Sequence, residues 1–244
     1  MQITPKELEH VAAAEAPRFD IYSGIHKALR AFMADTLLAV GRMDPMDEQE
    51  VSQVEDRVLQ LLGVCGGHLA HENAFLHPAI EARAAGASDR IAHEHEEHTR
   101  AIAQLAELVA QVRGAAPQQR HNAALRLYRG LALFVAENFQ HMQVEETAHN
   151  AVLWGRYTDA ELLAIHDALV ASIPPQEMMA VMRWLVPFMN PVERFHLLAD
   201  MRAKAPAPAF AAVLDLARTH LTVPEWTKLA HALELQPAPG LAEA

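Results

Sequence analysis

The sequence predicts an all-α protein, an up-down-up-down four-helix bundle followed by a smaller C-terminal helical segment. Three observations carry this prediction. Apolar residues recur at intervals of three and four through four long stretches, the spacing of one face of an α-helix. Hydrophobic residues make up 51% of the 244 positions and only 10 are glycine, while no stretch alternates or clusters β-branched residues as a strand does. The long stretches are separated by short breaks of Gly, Pro and Asp, so successive helices are expected to run antiparallel as neighbours.

Residues 1 to 17 are polar or small and read as a lead-in. From Arg18, the stripe Phe19, Tyr22, His26, Leu29, Met33, Leu37 and Val40 predicts the first helix, closed near Gly41 and Asp44-Pro45. The second helix starts after Asp47 on Val54, Val58, Leu61, Cys65, His68, Glu72 and Phe75, and is expected to kink or stop at Pro78, which lacks a backbone donor. Gly86-Ala87-Ser88-Asp89 is a turn with an N-cap. The third helix presents Ile91, His95, His98, Ile102, Leu105, Val109 and Val112, and ends at Gly114-Ala115-Ala116-Pro117. The fourth presents Leu127, Leu131, Phe134, Asn138, His141 and Glu145 and reaches Trp154-Gly155. One mismatch remains: His98 lies 16 residues before Gly114, whereas His141 lies 24 after Pro117, so part of 117–124 is loop or the fourth helix overhangs.

Beyond Gly155 the texture changes to shorter helices, expected at 159–172, 175–187, 191–203, 207–221 and 224–234, with N-caps at Thr158, Asn190 and Thr222 each followed by an acid three residues on. The expected division is a bundle at 1–155, a helical domain at 156–235 and a frayed tail at 236–244.

Charge and composition exclude several functions. A net charge of −11 without a basic run argues against nucleic acid. No uncharged apolar run reaches membrane-spanning length and the start lacks a basic head before an apolar core, so a cytoplasmic protein without membrane contact is expected. The single Cys65 excludes a disulfide framework and a zinc site built on Cys pairs. No Gly-rich phosphate loop, zinc-protease His-Glu-x-x-His or Ser-His-Asp candidate emerges.

The 15 histidines carry the functional signal. Each of the four long helices has an inward histidine, His26, His68, His98 and His141, and two of them add a carboxylate one turn later, Glu72 and Glu145. A buried carboxylate beside a buried imidazole is costly unless a cation lies between them. Four imidazoles and two carboxylates make a shell for two borderline metal ions, with the carboxylates able to bridge the pair. His95 shares the face of His98 but lies in an acidic first turn that reads as a solvated helix start, with metal ligation as the alternative. His77 either lines the cavity or approaches a metal from the Pro78 kink, and for Glu94 contact with a metal is left open. His71, His93 and His149 fall off the inward stripes and read as surface residues. Tyr22 reads as core packing, with a hydrogen bond to a bound ligand as the alternative. Cys65 reads as a small buried apolar residue, with a redox role as the alternative.

The order His, His-x-x-x-Glu, His, His-x-x-x-Glu over residues 18 to about 152 resembles the hemerythrin-like HHE domains, and Phe75-Leu76-His77-Pro78 resembles the close of that family's second helix. The resemblance implies a non-haem centre of two Fe ions bridged by oxo or hydroxo, with His26, His68, His98 and His141 as iron ligands and Glu72 and Glu145 as bridging carboxylates. Glu94 stands where oxygen carriers have a further histidine, and both Glu145 and Glu146 are available after the last one, so the arrangement is closer to the subgroup with four histidines and two glutamates. The implied function is binding of O2, NO or peroxide for sensing, storage or stress protection, linked to iron handling, with the C-terminal segment offering a surface to a protein partner. The alternative is an enzyme turning over at the same centre, a peroxidase, oxidase or NO reductase.

Overall fold

The structure is a computed structural model that describes residues 18–235, so the expected lead-in and tail lie outside the described residues. Every regular element in it is helical. The bundle consists of α1 (Ser23–Arg42), α2 (Glu48–His71), which runs through a π-helical turn (Glu72–Leu76) into α3 (His77–Arg83), then α4 (Asp89–Gly114), and α5 (Pro117–Val144), which runs through a second π-helical turn (Glu145–His149) into α6 (Asn150–Arg156). The Asp47 side chain accepts from the amides of Gln49 and Glu50 to start α2, and Pro117 occupies the first turn of α5, where its missing N–H costs nothing. Around the bundle, α1 packs on α2 and α5, and α4 packs on the other sides of α2 and α5. This closed ring of neighbours confirms the expected fold, and its core is the predicted stripe: Leu29, Met33, Val58, Leu61, Leu127, Leu131 and Phe134 are buried.

Pro78 does not stop the second helix. It falls in the first turn after the π-helical turn, where the His77 amide reaches back to the Glu72 carbonyl and the regular ladder is already interrupted. The extra residue also re-phases the helix. Leu76 is buried in place of the expected Phe75, which is half-buried.

Past the π-helical turns, the end of the bundle is closed by Ile21, Tyr22, Leu76, Ile80, Leu153 and Leu162. Leu162 belongs to α7 (Asp159–Ser172), whose Thr158–Glu161 capping box fits the expected start. Its burial in that cluster ties α7 to the bundle, and the chain divides into compact units at Ile173/Pro174 instead of at 155/156.

The second unit contains α8 (Pro175–Phe188), α9 (Pro191–Lys204), α10 (Ala207–His220) and α11 (Val223–Ala232), with capping boxes at Asn190–Glu193 and Thr222–Glu225. Its core includes Met182, Leu185, Val186, Leu198, Val213, Ala217 and Leu229. Arg194, only 2% exposed, is threaded among them. Its guanidinium donates to the carbonyls of Val186 (2.8 Å), Pro187 (3.1 Å) and Met189 (2.9 Å), the C-terminal carbonyls that α8 leaves without helical partners. Arg194→Leu is therefore expected to destabilise this unit by roughly 2 to 4 kcal/mol, the scale of several charge-assisted bonds lost together. Native-state hydrogen exchange on the full chain should show faster exchange confined to α8 and α9.

Candidate metal centre

His68 and Glu72 share one face of α2 at i and i+4, as His141 and Glu145 do on α5. Each glutamate opens its π-helical turn, so both helices carry the same device: imidazole, carboxylate one turn on, then a widened turn. Such turns are rare and collect at functional sites.

The two carboxylates each turn one oxygen towards either side, with two imidazoles on each. On one side, His68 Nε2 is 3.2 Å and His26 Nε2 3.7 Å from Glu72 Oε1, and His26 Nε2 is 3.5 Å from Glu145 Oε2. On the other, His95 Nε2 is 3.5 Å from Glu72 Oε2 and 3.6 Å from Glu145 Oε1, and His141 Nε2 is 3.3 Å from Glu145 Oε1 and 3.1 Å from His95 Nε2. Two groups of four donor atoms result: His26, His68, Glu72 and Glu145; and His95, His141, Glu72 and Glu145.

Five of the six expected residues, His26, His68, Glu72, His141 and Glu145, are thus brought together. His98 is not. It sits one turn further along α4, about 4.5 Å at 1.5 Å per residue, with its ring edge-on to His141 at 4.6 Å. There it helps line a cavity of about 240 Å³ with Arg90, His93, Glu94, Glu97 and Glu137. His95, expected to face solvent, stands in the second group and is 2% exposed.

His149 is also buried, at 2% exposure, contrary to its expected surface position. In a regular helix it lies about 80° from His141; the extra residue of the π-helical turn makes its eight positions count as seven, and the offset falls to roughly 20°. One of its ring nitrogens, one of His77 and an oxygen of Glu145 form a third convergent group. Of the other outlying histidines, His93 is exposed and His71 half-buried.

The outer nitrogens of three rings are held from behind. Glu146 Oε1 is 3.0 Å from His26 Nδ1, Glu94 Oε2 is 2.9 Å from His141 Nδ1, and Asn73 Oδ1 is 2.8 Å from His95 Nδ1. Glu146 is anchored by Arg30 and Glu94 by Arg90. Each contact fixes a ring so that its Nε2 faces the carboxylates, the role of outer partners in metal sites. If so, Glu146→Ala and Glu94→Ala should each weaken metal binding by about 10- to 100-fold, acting on different groups. Titration with a competing chelator reads both, and their effects should add on a logarithmic scale.

The charges are balanced for cations. Burial opposes protonation of His26, but Glu146 and Glu72 outweigh it and raise this imidazole to about 9; burial likewise opposes His141, and Glu145 and Glu94 raise it to about 10. Burial pushes His68 down to about 4. Burial would raise the Glu145 carboxyl, yet His141 holds it well below its ordinary range. Even so, none of the four oxygens of Glu72 and Glu145 finds a hydrogen-bond partner, nor does the Nε2 of His26 or His68. Leaving such groups bare in a core is expensive. Two donors each about 2.1 Å from one ion are separated by about 3.0 Å at right angles and 3.4 Å at tetrahedral angles, so contacts of 3.2 to 3.7 Å fit a shared cation with small adjustments. The donor set therefore fits metal ions. Cys65 takes no part: it is 2% exposed and burial pushes its thiol up to about 12, which leaves no reactive thiolate at neutral pH.

A helical bundle that gathers imidazoles from all four of its long helices around carboxylates from two of them has the donor set of a metal-binding bundle. The family model described as Hemerythrin HHE cation binding domain matches residues 19–150, more than half of the chain, and the protein belongs to that family. No curated protein matches the chain, and no solved structure matches it. Membership brings metal-cation binding with it, and the matched residues include both donor groups. No helix among the described residues is long and apolar enough to cross a membrane.

Proposed function

We propose that the bundle holds two iron ions bridged by Glu72 and Glu145 and that the pair binds O2, NO or peroxide for sensing, storage or stress protection. In this reading His26 and His68 hold one ion and His95 and His141 the other, so the assignment made to His98 passes to His95. The observation that carries it is the division of the four bare carboxylate oxygens, one from each glutamate facing each pair of imidazoles. Imidazole with carboxylate and without thiolate suits iron. Each group offers four protein donors, which leaves positions free on an ion that takes five or six. Bound iron supplies exchangeable positions and a source of electrons for a small ligand.

The chain's own residues do the rest. In the metal-free protein Glu146 and Glu72 favour a protonated His26, and Glu145 and Glu94 a protonated His141; to hold a cation through Nε2, each ring would have to give up the proton there. Metal uptake thus weakens as pH falls. The apolar cluster around Ile80, Leu153 and Leu162 keeps water from that end of the centre. We assign contact with a protein partner to the second unit, where Phe188, Val192 and Val223 leave large apolar side chains exposed. The acidic balance of the chain supports neither nucleic acid nor a membrane as partner.

The test is metal analysis of protein purified from its own host, followed by anaerobic reduction and exposure to O2 and NO. Two irons per chain and a stable, reversible charge-transfer band support the reading. One zinc per chain contradicts it, and a band that decays with product formation assigns the centre to an enzyme instead.

A further inference from the structure

Beside the two donor groups lies a second buried polar layer that the proposed iron ligation does not use. Tyr22, His77 and His149, 1%, 7% and 2% exposed, come from the residue preceding α1, the first residue of α3 and the end of the second π-helical turn. The Tyr22 ring lies 5.4 Å from that of His26, and His77 stacks on His95 at 4.7 Å, so the layer touches one imidazole of each group. His77 and His149 meet edge-on at 5.8 Å. The Tyr22 hydroxyl is 3.3 Å from His149 Nδ1, whereas the Nε2 atoms of His77 and His149 have no partner. Each ring offers a nitrogen that converges with an oxygen of Glu145, all within 4.8 Å of one another. Above them is the apolar cap of Ile21, Leu76, Ile80, Leu153 and Leu162, which offers no acceptor.

Two kinds of occupant answer two unpartnered ring nitrogens: a third cation, or a ligand with a hydrogen-bond acceptor. Charge decides between them. Two divalent ions already outweigh the charges of Glu72 and Glu145, and the further carboxylates around the layer are engaged elsewhere: Glu94 and Glu146 by Arg90 and Arg30, Glu81 by the Gly86 and Ser88 amides and the Ser88 hydroxyl, and Asp20 by the Tyr22 and Ser23 amides and the Asn150 side chain. A third cation on Glu145 meets strong like-charge repulsion across a few ångströms of dry interior, and an anion in that position is attracted.

We propose that His77 and His149 form an anion-binding subsite beside the metal pair, their Nε2–H groups donating to the free end of a small inorganic anion of two or three heavy atoms held at the pair. Tyr22 is a positioning residue. With its hydroxyl donating to Nδ1 of His149, the ring proton of His149 resides on Nε2, where the anion needs a donor. The subsite rests on the two-metal reading above and narrows its ligand to an anionic or reduced species with an acceptor beyond the atom nearest the metals.

The test uses full-length, iron-loaded, oxidised protein titrated with azide, followed by the ligand-to-iron absorption band, with iron per chain measured on every sample. Loss of one hydrogen bond to a charged ligand predicts that His77→Leu and His149→Leu each raise the azide Kd by about tenfold to a hundredfold, with two irons per chain retained. His149→Gln, which keeps an N–H donor, should restore most of the affinity, and Tyr22→Phe should weaken it by about threefold. Unchanged azide affinity in both leucine variants overturns the subsite. So does loss of iron from either, which makes the residue a metal ligand, or a third metal ion in the wild type that the double variant lacks. A wild-type chain that takes up no metal pair overturns both this inference and the reading beneath it.

Discussion

Glu145→Gln is expected to release both metal ions together while leaving the helical bundle folded. Glu145 is fully buried and gives one oxygen to each group, Oε2 towards His26 and Oε1 towards His95 and His141. Glutamine keeps the volume but removes the negative charge that offsets two cations, so neither position retains its ion. The affinity lost should exceed the roughly 10- to 100-fold that outer partners of metal ligands command. Stability reports the same event. Wild-type protein held at about 1,000 times its Kd in metal gains about 4 kcal/mol per site, so added iron should raise its unfolding temperature markedly. The variant's should not respond. Far-UV circular dichroism should be unchanged, since Leu61, Leu127 and Leu131 of the neighbouring core are untouched.

The second large effect separates two histidines on one face of α4. His95→Ala removes the one nitrogen that α4 gives to the second group, while His26, His68 and both carboxylates remain for the first. It should leave about one ion per chain. His98→Ala should leave two, because the His98 ring contacts His141 and Phe134 edge-on and belongs to neither group. Its cost is a packing defect, seen as a lower unfolding temperature in metal-free and metal-loaded protein alike. Metal analysis after desalting distinguishes the two variants, and the reverse pattern returns His98 to the centre.

The bundle was legible because its helices announce themselves by period. Val54, Val58, Leu61 and Cys65 repeat at three and four, and Asp47, Thr158, Asn190 and Thr222 cap where short polar side chains are expected to cap. The paired His-x-x-x-Glu was equally plain, since an i, i+4 relation is local to one helix. The choice of His95 over His98 was not, because both share a face and differ only in height. That height is set by how α4 and α5 align, a tertiary fact. The one trace was the mismatch of 16 residues against 24 about the α4–α5 turn, which His95, 19 residues before Gly114, reduces. The inward turn of His149 and the exchange of Phe75 for Leu76 lie beyond any pattern with a fixed 3.6 period, since each π-helical turn adds a residue in mid-helix. A visible hint was a second histidine shortly after each glutamate, His77 and His149. Arg194 could not be found by pattern, because a long charged side chain goes to water unless carbonyls left by a neighbouring helix end receive it. Likewise, the place of α7 depends on where Leu162 is buried.

The central claim is that two cations share Glu72 and Glu145. Anomalous diffraction at the iron edge from crystals of the iron-loaded protein tests it most directly. The account predicts two peaks per chain, about 3.5 to 4 Å apart as in other paired-metal sites, one beside His26 and His68 and the other beside His95 and His141. A single peak, or one seated against His98 with none at His95, would contradict it.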